Sequence, residues 1–142
     1  MIDNKPVIPQ QAISKDAVTF FATQEDFRKW MEMNHETANE LIVGYYKVKS
    51  GKPSMSWSQS VDQALCFGWI DSIRRSIDSE SYCIRFTPRR KNSIWSEINI
   101  RKVEELTNAG LMKPAGLKQV ANRLTAIGKT QESSPFRDNV NI

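Results

Sequence analysis

Nine residues between Asp71 and Asn99 carry side chains suited to holding an anion: Asp71, Arg74, Arg85, Thr87, Arg89, Arg90, Ser93, Trp95 and Asn99. Guanidinium groups present forked donors that match the oxygens of carboxylates and phosphates. Thr87 and Ser93 add hydroxyls, Asn99 hydrogen-bonds in both directions, and Trp95 offers a flat surface for stacking. Arg89, Arg90 and Lys91 come just before a helix-start signal, where free backbone donors and about half a positive charge favour an anion. The chemistry in view is recognition of a small anionic or nucleotide-like ligand by a non-enzymatic module. A plainer account fits the same residues: solvated charge, Trp95 as a core anchor, Asn99 tying a helix to a loop, and Asp71 in a structural ion pair with Arg74, Arg85 or Arg89.

Catalytic sets are harder to find. His35 is the sole histidine, which excludes zinc sites built from several imidazoles and leaves a Ser-His-Asp triad only this residue to use. It falls near the end of an expected helix, where it complements the helix dipole. Cys66 and Cys83 lie in apolar or strand-like runs and lack paired metal-ligand spacing, so buried reduced thiols are expected. No nucleophile set, glycine-rich phosphate loop, metal set or cofactor motif appears. An enzyme reading is left with Asp71 or Glu97 as a carboxylate base beside the arginines. A third reading is weak nucleic-acid binding, which basic residues interleaved with aromatics permit but a net charge of +4 and the lack of a known module disfavour.

That charge is unevenly spread. From Arg74 to Lys102 there are eight basic residues against three acids, so this segment alone exceeds the net charge of the whole chain. At 142 residues with 39% hydrophobic and 25% charged content, one compact domain with a real core is expected. No apolar run reaches the roughly 18 residues of a membrane span. The start, with two prolines and no apolar stretch, does not resemble a secretion signal, so a cytoplasmic setting is expected.

The elements that must position these residues follow from periodicity and punctuation. Residues 1–15 read as an extended arm and Ala17 to Phe21 as a short strand. Thr23 caps a helix with Phe27, Trp30, Met31 and Asn34 along one stripe. Glu40 to Lys49 is β-branched and aromatic, a central strand. Ser56 caps a short helix on which Trp57, Val61, Ala64 and Leu65 share a face, and Gly68 stops it in the left-handed region.

A hairpin follows, Trp69 to Ile77 and Tyr82 to Thr87, turning at Ser79 and Glu80. The expected register puts Ile77 opposite Tyr82, Arg75 opposite Ile84 and Ile73 opposite Phe86 on an apolar face. Arg74 and Arg85 then stand side by side on a polar face, where like charges call for a carboxylate from elsewhere in the chain or for a bound anion. Pro88 ends the strand. Ser93 is expected to cap a helix that carries Trp95 and Asn99 on one face and stops at Gly110. Pro114 opens a last helix with Leu117, Val120, Ala121 and Leu124 along one side. Residues 129–142 lack periodicity and read as a flexible tail. The order β-α-β-α-β-β-α-α makes an α+β fold, a small, mostly antiparallel sheet packed by helices.

Three stretches, QALCFGWIDS (Gln63 to Ser72), RFTPRRKNSIWSEIN (Arg85 to Asn99) and GLMKPAGL (Gly110 to Leu117), resemble in order the bacteriocin-protection, YdeI or OmpD-associated family. The resemblance spans Asp26 to Leu124. Ser72 stands where glycine is common, and Ile94 where a small or polar residue is usual. It implies a bacterial protein concerned with tolerance of bacteriocins or cationic antimicrobial peptides, and it brings no catalytic residues with it. A chain without an export signal does not meet a porin across the inner membrane, so porin association is not expected.

Overall fold

The computed structural model describes residues 15–130, with side chains for 16–123. Most of the expected arm and tail, residues 1–14 and 131–142, lie outside that range. Residue 15 belongs to a 3-10 turn, Lys15–Ala17, and residues 129 and 130 continue the last helix. The elements are β1 (Thr19–Phe20), α1 (Gln24–Asn34), β2 (Leu41–Tyr46), α2 (Trp57–Cys66), β3 (Trp69–Ser76), β4 (Ser81–Pro88), α3 (Glu97–Asn108) and α4 (Pro114–Thr130), with a second 3-10 turn at Val48–Ser50. The strands form one sheet in the order β1-β2-β4-β3, an α+β arrangement. β1 runs parallel to β2 and the other neighbours are antiparallel, so the sheet is mixed.

Local chemistry sets the helix ends. Thr23 Oγ1 accepts the Asp26 N–H at 3.2 Å, with Glu25 and Asp26 in the positive first turn of α1. Ser56 and Gln59 form a reciprocal capping box on α2. At the end of α1, His35 Nδ1 donates to the Met31 carbonyl at 2.7 Å, and the ring packs on Phe67. His35 thus finishes the helix, as its sequence position implied.

The core joins Phe27 and Met31 of α1, Ala64 and Leu65 of α2, and Val43, Tyr45, Ile84 and Phe86 from alternating positions of β2 and β4. Strand alternation turns these four residues to the helix side. Over Gly44 on the other side lies the Phe20 ring, 2.6 Å from where a Cβ would stand, and Phe20 stacks on Tyr46 at 4.5 Å. Cys66 and Cys83 are buried free thiols, and burial raises the pKa of both. Among the described residues no helix is long and apolar enough to cross a membrane.

The hairpin register differs from the expected one. Ser76 faces Tyr82, Arg75 faces Cys83 and Arg74 faces Ile84, one residue away from the expected pairing. A bulge between Asp71 and Arg74 then shifts it again, so that Asp71 faces Phe86 and Trp69 faces Pro88. An inserted residue reverses side-chain parity along the bulged strand. Trp69 and Asp71 therefore share the helix side of the sheet, although Arg74 beyond the bulge lies on that side too. Arg74 and Arg85 do not stand together.

Candidate functional site

β4 ends at Pro88, and the residue after it turns inward: Arg89 is 4% exposed. Its backbone N–H donates to the Gly68 carbonyl at 2.8 Å, and its carbonyl accepts Gln119 Nε2 at 3.0 Å. Arg89 is thereby clamped between the turn from α2 into β3 and the last helix. The clamp depends on close backbone approach. Gly68 has φ 77°, and a Cβ there would meet the Ala115 carbonyl at 2.8 Å.

The Arg89 side chain is half satisfied. Its guanidinium lies 4.2 Å from the centre of the Trp95 ring, within cation–π range. Nη1 donates to Ser93 Oγ at 3.1 Å and to the Ile94 carbonyl at 3.3 Å. Nε and Nη2 are buried without a hydrogen-bond partner among the described residues. Those two nitrogens form the side edge of the guanidinium, the fork that grips two oxygens of one carboxylate or phosphate. Buried polar groups are nearly always paired, and an orphaned one costs about 1–3 kcal/mol, more when charged. Burial pulls the Arg89 pKa down to about 10, while the nearby Asp71 carboxylate acts the other way. The group is still a cation at neutral pH.

Asp71, Arg89 and Asn99 line one narrow crevice, walled by Val61, Leu65 and Ile70. Asp71 and Arg89 make no ion pair; Asp71 Oδ2 instead accepts Trp57 Nε1 at 3.1 Å. Ile70 also borders an open groove of about 470 Å³ edged by Thr87, Arg90, Lys91, Asn92 and Ser93. The basic turn thus has two sides: a buried fork within, and exposed cations on a groove without.

Of the nine residues singled out in the sequence, seven gather here. Asp71, Arg89 and Asn99 share the crevice, Ser93 and Trp95 hold the Arg89 guanidinium, and Thr87 and Arg90 edge the groove. Two do not. Arg85 pairs with Glu40 at 2.7 Å, and Arg74 stacks over Tyr82 at 3.9 Å. Their expected juxtaposition fails because the register is offset and bulged.

Ser93 is not the helix cap. Ser96 caps α3, accepting the Asn99 N–H at 3.1 Å, so Trp95 precedes the helix and does not share a helical face with Asn99. Ser93 is occupied by Arg89, and Trp95 and Ile100 both pack on the core. Glu97 is exposed in the first turn of α3 and does not line the crevice. Trp57, expected on the inward face of its helix, is 50% exposed and serves Asp71. Lys91 and Asn92 were legible only as members of the basic turn.

Another groove, of about 660 Å³, runs past Glu32, His35, Glu36, Lys113 and Lys118. It mixes both charge signs, and among the described residues its lining holds no orphaned buried donor. Among the described residues no group of histidine, cysteine and carboxylate side chains is placed to hold a metal ion.

A family model described as a domain of unknown function, DUF8412, matches residues 19–119, a span that contains the whole crevice and groove. No curated protein and no solved structure matches the chain.

Proposed function

Because the chain belongs to that family, whose description assigns no activity, its own residues must indicate the chemistry, and we propose a non-enzymatic module that binds a small oxyanion-bearing ligand. One observation carries the reading: the Nε and Nη2 donors of Arg89, buried and unpaired among the described residues, on a residue clamped at both ends of its backbone. A rigid cation with its bidentate edge unused is preorganised for an oxyanion, and preorganisation lowers the ordering cost of binding. Trp95 and Ser93 set the plane and direction of the fork. Arg90 and Lys91 on the outer groove draw anions toward the turn through longer-range attraction.

The stretches that carry the resemblance to the bacteriocin-protection, YdeI or OmpD-associated family, Gln63 to Ser72 and Arg85 to Asn99, are the ones that build this site. A role in tolerance of bacteriocins or antimicrobial peptides would run through the ligand held there. A cytoplasmic setting is part of the proposal, and it accords with two cysteines that remain free thiols.

The test is thermal stabilisation of the intact protein by phosphate, acetate and small phosphorylated metabolites, compared between the natural chain and Arg89→Met. Saturating ligand raises the melting temperature of the natural chain and not of the variant. Equal shifts in both would remove Arg89 from the site and the reading with it.

A further inference from the structure

Asp71 lies in the wrong place for a simple anion receptor. Its carboxylate lines the same crevice as the Arg89 fork and is near enough to act on the Arg89 charge. An oxyanion gripped by Nε and Nη2 therefore sits beside a second anion. Carboxylates accept hydrogen bonds and cannot donate them. Repulsion between Asp71 and a fully ionised ligand is relieved only if the ligand brings a hydrogen of its own. Turned toward Asp71, that hydrogen converts the repulsion into a charge-assisted bond.

Resting on the reading of Arg89 as the anion anchor, we infer that the ligand is an oxyanion bearing its own hydrogen-bond donor, and that Asp71 is the residue selecting it. Hydrogenphosphate is the simplest member of the class. An amino-acid zwitterion, carboxylate on Arg89 and ammonium toward Asp71, has the same chemistry. Sulfate and acetate have the fork-matching oxygens and no donor. Phosphate monoesters fall between, because their last proton is largely lost at neutral pH, with a second pKa of about 6.

Trp57 positions the selector. Its indole N–H occupies Asp71 Oδ2, and the other carboxylate oxygen has no protein hydrogen bond among the described residues. That oxygen is the acceptor available to the ligand. The crevice is too tight to hold a water molecule in this structure, so entry of the ligand goes with a parting of its walls. Trp57 is half exposed on the first residue of α2, and its link to the crevice is one hydrogen bond. It can move outward with Asp71 without unpacking the core. Asn99 lends an amide that donates or accepts as the ligand requires.

Two size-matched pairs of probes test the inference by calorimetry on the full chain at fixed ionic strength: inorganic phosphate against sulfate, and glycine against acetate. At least one donor-bearing probe binds at least about tenfold more tightly than its partner, the worth of one hydrogen bond to a charged group. Whichever pair shows the preference identifies the source of the donor. Asp71→Asn, whose amide can donate to an anion, strengthens sulfate or acetate binding and erases the preference. Trp57→Phe releases Asp71 to pair with Arg89 and weakens binding, and adding Asp71→Asn to it restores binding. If the natural chain binds sulfate as tightly as phosphate and acetate as tightly as glycine, all through Arg89, the selectivity is wrong while the anion site stands. If none of the four binds in an Arg89-dependent way, the site itself has failed and the selectivity with it.

Discussion

Asp71 and Arg89 line the same crevice and make no ion pair: Trp57 holds the carboxylate at 3.1 Å, and Ser93 holds the guanidinium at 3.1 Å. Opposite charges brought close in a buried site ordinarily collapse onto each other, since attraction in a low dielectric is strong. Two separate tethers keep these apart. The arrangement leaves a cation's fork and a carboxylate oxygen without partners among the described residues, for a third group to meet when the crevice walls part.

A residue kept for binding at the expense of stability should show that conflict when it is replaced. The lowering of the Arg89 pKa by burial, to about 10, corresponds to a cost on the order of 3 kcal/mol. Arg89→Met removes the buried charge and its orphaned donors, while losing the bonds to Ser93 and Ile94 and the contact with Trp95. The net expectation is a protein as stable as the natural one or more stable, by up to about 2 kcal/mol in chemical denaturation. A loss above that size would mark Arg89 as a structural residue.

The same cost sets a pH dependence. Below about pH 10 Arg89 is charged in both the folded and unfolded chain, and the penalty is fully present. Above about pH 10 the folded state releases its proton while the unfolded state, with an ordinary guanidinium, still keeps it. The unfolded state then binds more protons, so this residue's contribution to stability rises with pH. Denaturation of the natural chain and Arg89→Met at a series of alkaline pH values should show any advantage of the variant shrinking through that window. Ligand binding, which needs the cation, should weaken over the same range.

Arg85 and Arg74 provide the contrast. Both are exposed, one paired with Glu40 and the other stacked on Tyr82. Replacing either with alanine should change stability by less than about 1 kcal/mol, the usual worth of an exposed pair. Anion affinity should fall less than about threefold at physiological salt, through the general field alone. A tenfold loss in either variant would restore the hairpin arginines to the site.

The scaffold behind Arg89 has a testable weak point at Gly116 in α4. A Cβ there would stand 2.3 Å from the Cys66 carbonyl oxygen, at the end of α2. Gly116→Ala must push the helix off that turn, and the Gln119 bond to the Arg89 carbonyl goes with it. Overpacking of this kind costs about 1–3 kcal/mol. Equilibrium unfolding measures the loss, and the anion response should weaken in the same variant.

Much of this fold was legible because single residues mark its boundaries. Thr23, Ser56, Gly68, Gly110 and Pro114 each stand where the structure starts or stops a helix. The hairpin was legible as a hairpin and not in its register. Arg75 on the face expected to be apolar is a sign in the sequence that the register is offset, whereas the bulge between Asp71 and Arg74 leaves no mark of its own. Ser93 and Ser96 each suit a cap. The choice is settled by tertiary demand, because Ser93 is needed by the buried Arg89 while Ser96 fits the α3 N-terminus.

The candidate site was legible in its residue types and only partly in its grouping. Arg89, Ser93, Trp95 and Asn99 lie close in the chain, and the turn after Pro88 brings them together. Asp71 arrives through the bulge. Trp57 arrives from a helix whose inward face it was expected to join, and no local pattern announces its bond to Asp71.

The most direct measurement is nuclear magnetic resonance of the arginine side-chain Nε–H groups, with the Arg89 signal assigned by its loss in Arg89→Met and phosphate titrated into the intact protein. The Arg89 signal should move downfield saturably and its proton should exchange more slowly with water, as a fork closing on two oxygens requires. An Arg89 signal unmoved while those of exposed arginines such as Arg74 and Arg90 respond would contradict an anion site at Arg89.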